Sequence, residues 1–162
     1  ATHLFVSAGY LEPDRPELPS ELSPAAMRAL DLAREEAVFL QLEEIGSAQI
    51  LLGVLREGSG QAARALAQVG VEARAARAAE EFLSTVAPAH RTEDPALSLA
   101  ARKALQLARD EARRLGESKV DTLHLLLGLL RQKGRAVEVL DWLGIPLPKI
   151  RHLLTRPGDI FV

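Results

Sequence analysis

The stretch from Ile45 to Gly60, IGSAQILLGVLREGSG, returns 75 residues later as VDTLHLLLGLLRQKGR, from Val120 to Arg135. No other feature constrains the fold as strongly. The match is not confined to those sixteen positions. SPAAMRALDLAREEA, opening at Ser23, lies over SLAARKALQLARDEA, opening at Ser98, so Ser23 to Arg56 aligns with Ser98 to Arg131 at one offset. One residue then drops out. At the new offset of 74, Leu66, Gly70 and Val71 meet Leu140, Gly144 and Ile145. Two copies of a unit are too few for an open solenoid, whose stability needs at least about three stacked repeats. A compact pair related by a pseudo-twofold axis is expected instead.

Each unit reads as four helices. Ser23 is a good N-cap and Pro24 suits the first helical position. Ala26, Ala29, Leu30, Ala33, Ala37 and Leu40 then recur at helical spacing. A second helix starts near Ser47, and QILLGVL is apolar almost all round, as a central buried helix would be. The third runs from about Ser59 to Val69 and stops at Gly70, with Val71 placed to touch Leu66 in a Schellman-type ending. The fourth spans roughly Glu72 to Val86. Gly53 and Gly128 fall inside the apolar helices, where glycine costs about 1 kcal/mol against alanine. Their recurrence predicts a neighbouring helix too close for a side chain. The chain thus divides into a Pro-rich arm (1–22), a first repeat (23–87), a linker (88–97), a second repeat (98–155) and a tail (156–162). The fold class is all-α, with eight helices in two tandem four-helix repeats. HLFV near the start and DIFV at the end are β-prone enough to pair as a ribbon, or to fray.

Composition removes several function classes. With 162 residues the chain can bury roughly 70% of its extended surface and needs no staple. Cysteine is absent, which excludes a disulfide framework, a thiol nucleophile and a Cys-bearing metal site. No apolar run approaches membrane-spanning length and no signal peptide opens the chain. A soluble, cytoplasmic protein is expected. The net charge of −2, with Arg and Glu interspersed, gives no basic face for nucleic acid, and 4% aromatics argue against base-stacking platforms.

No catalytic constellation emerges. There is no P-loop, no G-x-S-x-G elbow and no H-E-x-x-H helix. His3, His90, His124 and His152 are scattered and none is paired at metal-ligand spacing. The chain is therefore read as non-enzymatic, without metal or cofactor. His124, in the first turn of its helix, reads as a packing or capping residue. The matched acidic pairs Glu35-Glu36 and Asp110-Glu111 read as solvated helix faces, where ion pairs contribute little. Trp142, the single tryptophan, reads as a partly buried packing residue rather than a ligand platform.

The duplicated pattern resembles the Clp amino-terminal repeat domain. The first copy carries ALDLAREEA, IG, ILLGVLREGSGQAARAL and GV; the second carries ALQLARDEARRLG, LLLGLLR, VL and LGI. The resemblance covers about Ser23 to Leu154. It implies a non-catalytic docking module that receives Clp ATPase or protease subunits, adaptors or tagged substrates. The alternative is a small-ligand-binding or self-associating helical protein on the same scaffold.

Some bacterial members of that family bind phosphorylated arginine. They use the Thr that opens each repeat and the Glu of a Gly-Thr-Glu-His motif. Carried onto this chain, the opening Thr becomes Ser23 and Ser98, the motif Thr becomes Ser47 and Thr122, and the Glu becomes Ala48 and Leu123. Both acids that would face a guanidinium are missing, and a carboxylate–guanidinium pair is the strong, directional contact in such a site. Phosphoarginine recognition is expected to be lost or weak. The resemblance also points to the helix starts, where Met27, Arg28, Arg102 and Lys103 stand, as a partner-facing surface.

Overall fold

The computed structural model describes residues 21–84 and 94–155. Eight helices fill them: α1 (Pro24–Phe39), α2 (Ser47–Glu57), α3 (Gln61–Gln68), α4 (Ala73–Leu83), α5 (Leu99–Arg114), α6 (Thr122–Gln132), α7 (Arg135–Trp142) and α8 (Leu147–Thr155). The arm before Glu21, the segment 85–93 and the tail after Thr155 lie outside the described residues, as do both proposed ribbon segments. The helices of the two repeats start at matching places. Pro24 and Ser47 precede Leu99 and Thr122 by 75, and Gln61 and Ala73 precede Arg135 and Leu147 by 74.

Local chemistry explains the boundaries that the two repeats share at α1, α5, α3 and α7. The Ser23 and Ser98 hydroxyls accept from the Ala26 and Ala101 N–H groups, both at 3.0 Å, which caps α1 and α5. Gly70 and Gly144 take left-handed φ of 85° and 75°. The Val71 and Ile145 N–H groups then return to the Leu66 and Leu140 carbonyls at 2.9 and 3.0 Å. This is the Schellman ending expected of α3 and α7.

The pairs α1–α2 and α5–α6 form the body of each repeat, and α2 and α6 sit at the middle. From Ser47 to Val54 and from Thr122 to Leu130, every residue except Leu123 is buried. Alanines at 26, 29, 33 and 37 line the face of α1 that meets α2. A Cβ on Gly53 would overlap the Ala29 carbonyl oxygen and stand 2.9 Å from the Ala33 nitrogen. On Gly128 it would overlap the Ala104 carbonyl oxygen and stand 2.8 Å from the Ala108 nitrogen. The two glycines are thus explained by backbone-to-helix approach, as their recurrence predicted.

The reading of the matched acidic pairs fails in part. Glu36 and Glu111 are not on solvated faces; they are 2% and 6% exposed. Glu36 accepts from Arg56 at 3.0 Å and from Arg77 at 2.7 Å, and Glu111 accepts from Arg131 at 2.8 Å. Burying a carboxylate is costly unless it is paired and hydrogen-bonded, and here each one ties the α1–α2 or α5–α6 pair together. Their neighbours Glu35 and Asp110 do stay at the rim of these networks, and Arg131 holds Asp110 at 2.7 Å.

Candidate functional site

The two repeats are joined by crossed strand pairing. Two-residue strands β1 (Glu44–Ile45) and β2 (Ala96–Leu97) run parallel, so the approach to α5 lies beside the turn of the first repeat. The mirror contact is a bridge between Leu22 and Val120. The Ser23 N–H donates to the Val120 carbonyl at 2.9 Å, and the Ser98 N–H donates to the Ile45 carbonyl at 2.9 Å. Each repeat's opening serine therefore lies against the other repeat's motif, not its own.

At the Ser23 end this crossing forms a cleft of about 290 Å³. Ser23 and Gln61 contribute from the first repeat, and Glu117, Ser118, Lys119, Asp121, Leu123 and His124 from the second. The Ser23 hydroxyl donates to Asp121 Oδ1 at 2.7 Å, and the same oxygen accepts the Thr122 N–H at 2.8 Å. His124 turns back so that Nδ1 accepts the Asp121 N–H at 2.8 Å, closing a capping box at the start of α6. A ring nitrogen that accepts must be unprotonated. Burial pushes the His124 pKa below its ordinary value; Asp121, Glu117 and Glu111 pull the other way without cancelling it. The capping role read from the sequence for His124 is the one observed.

The other junction differs. Gly46 stands where the second repeat has Asp121, so no carboxylate caps α2. Gln49 takes the place of His124: its Oε1 accepts the Gly46 N–H at 2.9 Å and its Nε2 donates to buried Glu80 at 2.8 Å. Leu154 occupies the position in α8 corresponding to Glu80 and offers no acceptor, and His124 Nε2 has no hydrogen-bond partner among the described residues.

The residues predicted to face a partner divide into three groups. Ser23 and Leu123 meet in the cleft. Ser47, Ala48 and Thr122 are buried, and the Ser47 hydroxyl accepts the Ala136 N–H at 3.1 Å, which fixes the start of α7. Arg28, Arg102 and Lys103 are exposed, Met27 is half-buried against the core, and Ser98 caps α5. Arg28 reaches Glu57 at 3.1 Å. Burial raises the Glu57 pKa, but bonds from Ser59, Arg28 and the Gly60 N–H outweigh it and leave the carboxyl below its usual range. Asp121, Glu117 and Lys119 escaped the sequence reading. The signal was present as Asp121 against Gly46, a charge gained in one copy only.

Among the described residues, no group of three or more His, Asp or Glu side chains is placed to hold a metal, and no helix is long and apolar enough to cross a membrane. The sequence matches the Clp repeat (R) N-terminal domain over residues 21–143 and again over 96–157.

The chain belongs to the Clp repeat N-terminal domain family.

Among relatives of this Clp N-domain, the chaperone protein ClpB of Oceanobacillus iheyensis is 43% identical over 128 residues, 78% of this chain and 16% of that protein. The negative regulator of genetic competence ClpC/MecB of Bacillus subtilis is 40% identical over 129 residues, again 78% of this chain and 16% of that protein. The chain thus spans only a small part of the curated relatives it matches. In fold it is similar to the N-terminal domain of the chaperone ClpD from Arabidopsis thaliana. There the TM-score is 0.73 at 20% identity, covering 83% of this chain and 95% of that one. It is also similar to the Hsp104 N-terminal domain from Candida albicans. That comparison gives a TM-score of 0.71 at 14% identity, covering 86% and 93%.

Proposed function

We propose that this Clp N-domain is a non-catalytic docking module, working in the cytoplasm, that receives a Clp ATPase or protease subunit, an adaptor or a substrate protein. The observation that carries the reading is the cleft at the crossed junction. It is a polar recess held by short hydrogen bonds from both repeats, and it opens beside partly buried Leu123. Ser23, Asp121 and His124 are already fixed by caps, so that side of the recess needs no ordering on binding, while Glu117, Ser118 and Lys119 are exposed. A preorganised recess loses less affinity to ordering than a mobile one.

The cleft is a poor host for phosphoarginine. Leu123 and Ala48 stand where the family pattern places its acids. Asp121 supplies a carboxylate nearby, but Ser23 and the Thr122 amide already occupy Oδ1, and with Glu117 it would repel a phosphate that only Lys119 attracts. We infer that the partner offers neutral or apolar side chains at this point.

The test is capture from the source lysate with the folded chain as bait, read by mass spectrometry, alongside calorimetric titration with free phosphoarginine. A bait lacking residues 1–22 and the tail after Thr155 separates core from tail contacts. Recovery of a Clp subunit, diminished by Leu123→Arg, supports the reading. Failure of the folded bait to retain any Clp component would overturn it, and saturable phosphoarginine binding would overturn the second inference.

A further inference from the structure

The core contains no aromatic side chain among the described residues. Phe39, Phe82 and Trp142 all stand on the surface, 67%, 65% and 54% exposed. Trp142 does pack, as the sequence suggested, but on another surface ring and with more than half of it exposed. Phe39 has a visible occupation: the Arg77 guanidinium lies over its ring, 5.6 Å from the centroid. Phe82 and Trp142 instead stack on each other at 4.5 Å with 27° between planes, joining α4 of the first repeat to α7 of the second. Among the described residues, no cation lies over that stack.

Three exposed acids flank the stack, two of them with an arginine in reach: Glu138 pairs with Arg135, and Glu81 acts electrostatically on Arg77. Glu138 lies one turn before Trp142 on the same side of α7, Asp141 adjoins Trp142, and Glu81 adjoins Phe82; all three are exposed. Arg135 is the cation on that side of α7, and it is already held by Glu80 and Glu138, both at 3.2 Å. Phe82 and Trp142 also lie in the last turns of α4 and α7, where both helices present the negative end of their dipoles.

We propose that the Phe82–Trp142 stack is a docking platform for a basic segment of a partner protein, with an arginine side chain over the rings and Glu81, Glu138 and Asp141 around it. Aromatic faces attract cations, and a planar guanidinium also stacks on them. The Arg77–Phe39 pair shows the same contact within this molecule. The platform shares no residue with the junction cleft, and its test needs no Clp component, so the two readings stand or fall separately.

Trp142 is the single tryptophan of the chain and reports directly on the site. The full chain would be titrated with a synthetic octapeptide of alternating arginine and glycine while Trp142 emission is followed. The expected result is a saturable change that weakens with added salt. It should weaken roughly tenfold in Phe82→Ala and in the double variant Glu138→Arg, Asp141→Arg. The same peptide with citrulline for arginine should give no change. These are exposed positions, so unchanged circular dichroism is the check that the variants are folded. No saturable change with the arginine peptide, an equal response to the citrulline peptide, or undiminished binding by the folded variants would overturn the proposal. So would emission that depends on protein concentration without peptide, which would mean that a second copy covers the stack.

Discussion

Gln49 and His124 occupy equivalent positions in the two repeats, and each folds its side chain back onto the backbone N–H three residues earlier, at 2.9 and 2.8 Å. One cap cannot titrate and the other can. The His124 pKa lies below its ordinary value in the folded chain, so the unfolded chain takes up the proton first as pH falls. The stability this cap contributes is complete above about pH 6.5, the unfolded value, and is lost as pH falls from there through the folded pKa. Urea unfolding at pH 7.5 and at pH 5 should therefore show a larger loss for the natural chain than for His124→Gln, by about 1 kcal/mol, the usual worth of a cap. Equal losses in the two proteins would remove the histidine from the account.

Gln41 offers a second comparison between the copies. It ends α1 at φ 60°, and the Leu42 N–H returns to the Ala37 carbonyl at 2.9 Å. Gly116 ends α5 in the same way at φ 73°, with the Glu117 N–H on the Ala112 carbonyl at 2.9 Å. A left-handed conformation costs a side-chain-bearing residue about 1 kcal/mol and glycine almost nothing. Gln41→Gly should raise stability by up to about 1 kcal/mol, and Gly116→Ala should lower it by a similar amount. Thermal melts of the two variants check this, and opposite signs are required.

At Gly53 two effects compete. Alanine gains about 1 kcal/mol of helix propensity. Against it, the new methyl would overlap the Ala29 carbonyl and crowd the Ala33 nitrogen. Those are backbone atoms of a packed helix, and such overpacking costs up to roughly 3 kcal/mol or more. Gly53→Ala is expected to be destabilised by about 2 kcal/mol net. A denaturant midpoint equal to or above that of the natural chain would mean that α1 and α2 can move apart freely.

The eight helices, the Ser23 and Ser98 caps, the Gly70 and Gly144 stops and the close crossings at Gly53 and Gly128 were legible because each depends on residues a few positions apart, and the duplication supplied each of these signals twice. The crossed pairing of Leu22 with Val120 and of Ile45 with Leu97 was not. Strands of two residues carry no period, and the contact joins positions that only the finished fold brings together. Glu36 and Glu111 were misread for another reason. An acid beside arginines looks the same in sequence whether the group is in water or enclosed, and only the packing of Arg56, Arg77 and Arg131 around it decides. Asp121 was overlooked because the family pattern drew attention to the acids that are absent rather than to the one gained. Trp142 stands more exposed than the partly buried packing place read for it, because this core is built almost wholly of alanine, leucine, isoleucine and valine and the ring packs on Phe82 outside it.

The crossed pairing has a bearing on how the halves depend on each other. The Val120 carbonyl is filled by Ser23 and the Ile45 carbonyl by Ser98, so each half holds a strand edge that only the opposite half completes. Severed halves would be complementing fragments, needing to find each other in solution before either could close its edge. Covalent continuity removes that search. It makes the meeting of the halves an intramolecular event, with an effective concentration in place of a bulk one. The assembly of the domain is thereby independent of how much of the protein is present.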